Sequence, residues 1–207
     1  MPQLKLTYFD SPGRAEPVRV ALRLAGAPFE DHRVNFAGFM ELKQSGALPL
    51  GSVPVLEVDG FTMTQTAAML RFAARLGDTG LYPADPAAAF MVDSALDTFN
   101  DTWSHALVPS LFERDKEKKL AMRAEFAAGP MKRVFDYVEA ILAKSGGPFV
   151  AGKALSIADL VIAQSLLQIR TGGLDGITPD MLQTWPHLLA LADAYLAEPR
   201  IAALSVG

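Results

Sequence analysis

The sequence changes its pattern at one segment, residues 77–86 (GDTGLYPADP), and this change limits the fold more than any other feature. The segment is rich in Gly, Pro and Asp, which is typical of a connection between folded units. Before it, short strand-like and helical patterns alternate, whereas after it only long helical patterns recur. We therefore predict an α/β domain over residues 1–76, a linker over 77–86 and an all-α domain over 87–207.

The first domain shows the order β-α-β, then a loop, then β-β-α. Asp59-Gly60 lies between two strand-like runs and favours a tight hairpin, because this pair suits the turns that match strand twist. One crossover followed by a hairpin predicts a mixed sheet. The predicted elements are strands over 4–8, 28–34, 53–58 and 61–64 and helices over 14–24 and 66–76.

The second domain reads as helices throughout. One helix start is marked by Ser156, with Asp159 three residues later, which is the pattern of a capping box and predicts a structural role for both residues. The predicted helices cover 87–112, 115–128, 130–144, 156–170 and 187–196.

Composition excludes several classes of function. The chain has no cysteine, so the protein supplies neither a thiolate nucleophile nor a disulfide. Its three histidines lie far apart in sequence, and we expect no metal site. The net charge is −4 with scattered Lys and Arg, so we expect no nucleic-acid partner. No apolar run approaches the roughly 20 residues of a membrane span, and no signal peptide is apparent, which predicts a cytoplasmic protein.

Pro54 opens a strand-like run, and the Val53-Pro54 bond has two possible geometries. A trans bond is favoured on base rates, since cis is a small minority of X–Pro bonds. A cis bond would instead turn the backbone N–H and C=O of Val53 outward, where they could pair with an extended ligand backbone.

Tyr8 and Arg14 flank a tight strand-to-helix turn in the stretch TYFDSPGRAE. Tyrosine is common in strands, so Tyr8 could simply fill a strand position. Arg14 falls in the first turn of the predicted helix, where a cation opposes the helix dipole. That mismatch indicates a second use for the arginine.

Several short motifs then follow one another in order along nearly the whole chain. They are Tyr8 with the following GRAE, EDHR at 30–33, Leu48-Pro49, VPVLEVDG at 53–60, Gln65-Thr66 and SIAD at 156–159. Together they resemble the cytosolic glutathione transferases of the tyrosine type, and most closely the sigma class. The resemblance implies a thioredoxin-like N-terminal domain that binds glutathione, an all-α C-terminal domain and a homodimer.

The resemblance also implies which residues do the chemistry. Tyr8 would donate a hydrogen bond to the glutathione thiol, and Arg14 would support Tyr8 or the thiolate. A free thiol with a pKa of about 8.5 is only a few per cent ionised at neutral pH. A hydrogen bond to the charged form favours that form, and the thiolate is the nucleophile.

The resemblance implies a set of glutathione contacts: Tyr8, Phe39, Lys43, Ser52, Val53, Pro54, Gln65, Thr66 and, from the partner subunit, Asp97. Thr66 would hold the γ-glutamyl carboxylate at a helix N-terminus, and Lys43 the glycyl carboxylate. Phe39 stands where the sigma class often has tryptophan, and Ser52 where glutamine or lysine is usual. The alternatives are a plain N-cap for Thr66, a solvated lysine for Lys43 and a solvated acidic stripe around Asp97.

A second substrate, a hydrophobic electrophile, would bind beside Tyr8. Its predicted walls are Phe9, Arg14, Trp103 and Leu107, with an interdomain core as the alternative for Trp103. Glutathione would be the co-substrate, without a metal. The implied function is conjugation of glutathione to such electrophiles. Alternatives are glutathione-dependent isomerisation or peroxide reduction, and a non-catalytic structural or ligand-carrying dimer on the same fold.

Overall fold

The structure is a computed structural model that describes residues 2–204. It divides into two compact units, Met1–Tyr82 and Pro83–Gly207. The division falls inside the segment that was predicted as a linker. Thr79 of this segment is buried, and its hydroxyl donates to the carbonyl of Ala74 at 2.9 Å, so the first unit extends beyond the predicted helix end.

The first unit is built on a four-stranded sheet with the order β2-β1-β3-β4. β1 and β2 are parallel, while β3 is antiparallel to both β1 and β4, so the predicted mixed sheet is confirmed. Leu6 and Leu56 face each other across β1 and β3, and both are fully buried. The strands are β1 (Leu4–Phe9), β2 (Glu30–Val34), β3 (Val55–Val58) and β4 (Phe61–Met63).

Three α-helices pack in this unit, and the first forms the crossover between the two parallel strands. Its apolar face includes Val18 and Leu22, both fully buried, which is the helical spacing that the sequence shows. A 3₁₀ turn over Gly13–Ala15 precedes it, so Arg14 lies in that turn and not in the helix proper. The helices are α1 (Glu16–Leu24), α2 (Phe36–Gln44) and α3 (Thr66–Ala73).

Helix α2 replaces the loop that was predicted between the second and third strands. No residue of α2 is buried, so the sequence carries no apolar stripe from which a helical period could be seen. Its start is nevertheless marked, because the side chain of Asn35 accepts a hydrogen bond from the N–H of Gly38 at 2.9 Å. Asparagine is a favoured N-cap, and this was the available signal.

The backbone has an unusual conformation at two places in the hairpin: the turn that joins β3 to β4, and the Val53-Pro54 bond just before β3. Asp59 and Gly60 both have positive φ angles, 49° and 83°, as the predicted Asp-Gly turn requires. The Val53-Pro54 bond is cis, so the trans geometry favoured on base rates is wrong here.

The second unit is helical, with two short π-helical turns inside longer runs. The two helices predicted over 115–128 and 130–144 form one continuous run. A π turn over Ala127–Met131 joins them and accommodates Pro130, which cannot donate to an α-helical bond. The segments are α4 (Pro86–Thr102), a π turn (Trp103–Leu107), α5 (Val108–Phe112), α6 (Lys116–Phe126), α7 (Lys132–Leu142), α8 (Ile157–Arg170), a 3₁₀ turn (Pro179–Thr184), α9 (Pro186–Ala197) and α10 (Pro199–Leu204).

The predicted capping box at the start of α8 is confirmed. The carboxylate of Asp159 is fully buried and accepts hydrogen bonds from the backbone N–H and hydroxyl of Ser156, at 2.8 and 2.6 Å. It also accepts from the N–H of Val150 at 2.9 Å, so it ties the preceding loop to the helix. Within residues 2–204, no helix is both long and apolar enough to cross a membrane.

Candidate active site

The hydroxyl of Tyr8 lies against the turn that follows β1. Tyr8 is buried in the last part of the strand, and its hydroxyl accepts a hydrogen bond from the backbone N–H of Arg14 at 3.2 Å. Gly13 makes this approach possible, because a Cβ built at that position would lie 2.5 Å from the Tyr8 hydroxyl oxygen. The turn therefore supplies a backbone donor to the phenolic oxygen and needs a glycine to do so.

The side chain of Arg14 joins this turn to the Val53-Pro54 segment. Its Nη2 donates a hydrogen bond to the carbonyl oxygen of Val53 at 3.0 Å. Val53 and Pro54 are buried, while Ser52 beside them is exposed. The turn after β1 and the Val53-Pro54 segment are far apart in sequence, and both were predicted to contribute to the glutathione site. Arg14 connects them.

Arg19 also belongs to this region, although no sequence motif predicted it. Its side chain is fully buried, yet it carries a guanidinium whose carbon lies 5.9 Å from the centre of the Tyr8 ring. Nη1 donates to the carbonyl oxygens of Ser11 and Pro12, at 2.9 and 3.3 Å. The only sequence signal was a single cation among apolar residues of the first helix, VRVAL at 18–22.

Arg19 is also the buried end of a chain of ion pairs. Its Nε donates to Asp31 at 3.0 Å, and the other oxygen of Asp31 accepts from Arg33 at 2.9 Å. Burial disfavours the charged carboxylate, but the hydrogen bonds from the two arginines outweigh it and lower the pKa of Asp31. Arg19 Nη1 meets Glu16 at 3.0 Å, and Arg33 meets exposed Asp10 at 2.9 Å.

The N-terminus of α3 has no side-chain cap. Gln65 occupies the N-cap position with φ 72° and ψ 109°, and its side chain does not cap the helix. A positive φ is uncommon for a residue other than glycine, and such residues concentrate at functional sites. Thr66 follows as the first helical residue and is half-buried. The first N–H groups of a helix have no partners within the helix, so this end can receive an anion.

Phe39 and Lys43 lie one turn apart on α2. The Lys43 ammonium lies 6.0 Å from the centre of the Phe39 ring, and the lysine stem runs beside Gly51. Phe39 in turn contacts Phe9, with ring centres 5.3 Å apart. Lys43 is exposed, and Phe39 and Phe9 are half-buried, so the aromatic pair supports a cation that faces solvent.

The remaining predicted residues belong to the second unit. Trp103 is half-buried in an aromatic cluster, stacked on Phe99 with ring centres 4.8 Å apart. Leu107 is buried to 1% exposure, which leaves it almost no side-chain surface for a bound molecule. Asp97 is exposed on α4. Among residues 2–204, no group of three or more acidic or histidine side chains is arranged to hold a metal ion.

Comparison with known proteins identifies the family to which the chain belongs. Residues 4–75 match the family described as glutathione S-transferase, N-terminal domain, and residues 100–204 match glutathione S-transferase, C-terminal domain. Glutathione S-transferase 1 of Ascaris suum is 36% identical over 187 residues, covering 88% of this chain and 85% of its own. Hematopoietic prostaglandin D synthase of Gallus gallus is 31% identical over 206 residues, covering 98% and 95%.

A solved structure shows the same likeness in three dimensions. A protein described as a major nematode C. elegans specific GST superposes with a TM-score of 0.84 at 29% identity, covering 98% of this chain and 95% of that one. The two matched domains together span most of the chain, and they match the two units of the fold. The chain therefore belongs to the glutathione S-transferase family.

Proposed function

We propose that this protein is a glutathione transferase in which Tyr8 activates the thiol of glutathione for attack on a hydrophobic electrophile. The observation that carries the proposal is the hydrogen bond from the N–H of Arg14 to the hydroxyl oxygen of Tyr8, 3.2 Å long. An oxygen that already accepts one hydrogen bond becomes a stronger donor through its own hydrogen. That hydrogen is then available to a sulfur held in front of β1.

Thiol activation needs an amount of energy that such a group can supply. Lowering the thiol pKa by about two units requires roughly 2.7 kcal/mol of preferential interaction with the thiolate. A hydrogen bond to a charged group contributes about 1.5–3 kcal/mol. A hydrogen bond from the Tyr8 hydroxyl to the thiolate is therefore sufficient in kind and in magnitude.

The tripeptide would be held by groups on three segments of the first unit. The N-terminus of α3, which has no side-chain cap, would receive the γ-glutamyl carboxylate at Gln65 and Thr66. Lys43 would pair with the glycyl carboxylate. The backbone of Val53 would pair with the cysteinyl residue through its N–H and the second lone pair of its carbonyl, since Arg14 uses only one.

The reaction is then a nucleophilic addition or substitution. The thiol proton passes to solvent, the sulfur lone pair forms a bond to the electrophilic carbon, and a leaving group departs with the electrons of the broken bond. With an enone no group leaves, and the resulting carbanion takes up a proton. The protein's contribution is to hold the sulfur beside Tyr8 in its ionised form.

We propose further that the protein is a homodimer and acts in the cytoplasm, in keeping with its sequence. Support for a dimer comes from large apolar side chains that are more than half exposed, Leu50, Phe61 and Phe90. Exposed apolar surface of this kind is commonly covered by a partner chain. Sedimentation at micromolar protein would test the dimer, and a single species of monomer mass would contradict it.

A second candidate is glutathione-dependent isomerisation or peroxide reduction. It is favoured by the similarity to a protein named prostaglandin D synthase over 98% of this chain. The same thiolate chemistry would begin these reactions. Isomerisation and peroxide reduction differ from transfer only in the steps after the thiolate attacks the substrate. Their substrates can therefore be tested in the same assay.

The test is a panel of aryl halides, enones and hydroperoxides with glutathione, comparing wild type, Tyr8→Phe and Tyr137→Phe. Tyr137 is a matched control, because its hydroxyl is also hydrogen-bonded, to Ser94 at 2.5 Å on the second unit. We expect Tyr8→Phe to lose about 10- to 1,000-fold in kcat on reactive panel members, the scale of one lost donor to a developing anion. Tyr137→Phe should retain activity. Wild type that binds glutathione but turns over no panel member would support a non-catalytic protein instead.

A further inference from the structure

Arg19 is an unusual residue to find beneath a tyrosine. Its side chain has no exposed surface, and its Nη2 is buried without a hydrogen-bond partner among the described residues. Arginine is almost never fully buried unless it is paired, and a buried donor without a hydrogen-bond partner lowers the stability of the fold. Such a group is retained where it performs a task that an apolar side chain cannot.

The task visible here is to fix the turn after β1. Nη1 holds the carbonyl oxygens of Ser11 and Pro12, at 2.9 and 3.3 Å. The next two residues are Gly13, which lies against the Tyr8 hydroxyl, and Arg14, whose N–H donates to it. One buried guanidinium therefore holds the backbone immediately before the two residues that contact the phenolic oxygen.

The charges around Arg19 show that its main contribution is not a free positive charge. Asp31 and Glu16 bind it directly, Arg33 binds Asp31, and Asp10 binds Arg33. Three carboxylates thus face two guanidinium groups. This network neutralises Arg19 and holds its position, while the Tyr8 ring lies 5.9 Å from its guanidinium carbon, within the range of a cation–π contact.

We propose that Arg19 is a positioning residue for thiol activation: it holds the backbone of Ser11 and Pro12, just before the Gly13–Ala15 turn, so that the Arg14 N–H stays aligned with the phenolic oxygen of Tyr8. This role rests on the proposed function, since it acts through Tyr8 on bound glutathione. Lysine can replace the charge of Arg19, but not its planar fork of donors. Arg19→Lys therefore separates geometry from charge.

The experiment compares Arg19→Lys with Arg123→Lys. Arg123 is a matched control within the second unit, because it is also buried and also donates to a backbone carbonyl, that of Asp175. Its Nε donates to the hydroxyl of Ser110. Conjugation is measured as kcat/KM for the electrophile against pH at saturating glutathione, so that the profile reports the thiol bound to the enzyme. The KM for glutathione and the denaturant midpoint are measured alongside. Both variants should lose stability to a similar degree.

Arg19→Lys should shift the acid limb of the kcat/KM profile upward by about one pH unit, which is a tenfold loss below the pKa of the bound thiol. Above the shifted pKa of the variant the loss should fall below about twofold, and the KM for glutathione should change less than about threefold. Arg123→Lys should leave the limb in place. An unshifted limb in Arg19→Lys, with the same loss of stability, would make Arg19 merely structural and overturn the inference.

Gly13→Ala tests the same contact without touching Arg19. Gly13 is exposed but has a φ of 43°, so alanine there strains the backbone and also brings its Cβ against the Tyr8 hydroxyl. The denaturant midpoint of this variant is therefore measured with its pH profile. The acid limb should again move upward, and a limb in the wild-type position would contradict the inference. A wild-type limb at the pKa of free glutathione would contradict the proposed function itself.

Discussion

The guanidinium of Arg14 donates a hydrogen bond to the carbonyl oxygen of Val53 at 3.0 Å, across 39 residues of sequence. The backbone of Arg14 serves Tyr8 and its side chain serves Val53. The two functions of this residue are therefore separable, because a side-chain substitution leaves the backbone N–H in place.

Arg14→Met should weaken glutathione binding more than it lowers kcat. The lost bond to Val53 involves a charged donor, worth about 1.5–3 kcal/mol, and we expect a rise of about tenfold in the KM for glutathione. The Kd from calorimetry should rise in parallel. Arg23→Met, a change at an exposed arginine of α1, serves as the control. An unchanged Kd in Arg14→Met would show that the Val53 segment does not position the tripeptide.

A substitution at Lys43 tests whether helix α2 binds the glycyl end of glutathione. Lys43→Met should raise the KM for glutathione about fivefold, the worth of an exposed ion pair of roughly 1 kcal/mol. The glycyl ethyl ester of glutathione lacks that carboxylate, so its KM should be the same in wild type and variant. Equal sensitivity of both thiols to the substitution would contradict the assignment of Lys43 to the glycyl end.

Phe39 should act through Lys43. Its ring lies 6.0 Å from the ammonium, and a cation–π contact at an exposed site contributes about 0.5–1 kcal/mol. Phe39→Leu should therefore raise the KM for glutathione about two- to fivefold. In the Lys43→Met background the same change should have little effect on this KM. Additive effects in the double variant would show that Phe39 does not act through Lys43.

Asp159 should make stability depend on pH. Burial raises its pKa to about 6, against the opposing hydrogen bonds from Ser156 and Val150. In the unfolded chain this carboxyl ionises near its ordinary value of 3.8. Because the folded pKa is the higher one, the stabilisation is complete below about pH 3.8 and is lost as the pH rises through about 6.

The corresponding measurement is the free energy of unfolding of wild type and Asp159→Asn between about pH 4 and pH 7. Asparagine cannot ionise, so the advantage of wild type should shrink by on the order of 2–3 kcal/mol over this range. Asp180→Asn, at an exposed carboxylate, should run parallel to wild type. A parallel profile for Asp159→Asn would refute the raised pKa, and a stable Asp159→Asn without activity would refute its structural role.

Elements that bury one face could be predicted from the sequence. β1 and α1 each place apolar residues at the period of their element, and the Asp59-Gly60 turn has both required positive φ angles. Helix α2 could not be found by period, since it buries none of its residues. Two separate helices were predicted over 115–128 and 130–144, but a π turn over Ala127–Met131 joins them into one run.

Some residues of the candidate site could also be predicted from the sequence, and others could not. Tyr8, Arg14 and Val53 carry motifs that are local in sequence, and the structure brings all three to one turn. Arg19 gave no such signal, because its partners on β2 and in the turn become neighbours only when the crossover forms. A buried cation is recognisable only from its tertiary contacts.

The most direct test of the account is the pKa of the glutathione thiol bound to wild type and to Tyr8→Phe, followed by the ultraviolet absorbance of the thiolate against pH. We predict that wild type lowers this pKa by about two units from the free value of about 8.5, and that Tyr8→Phe returns it to within about half a unit of that value while still binding glutathione. Equal pKa values for the thiol in the two proteins would contradict thiol activation by Tyr8.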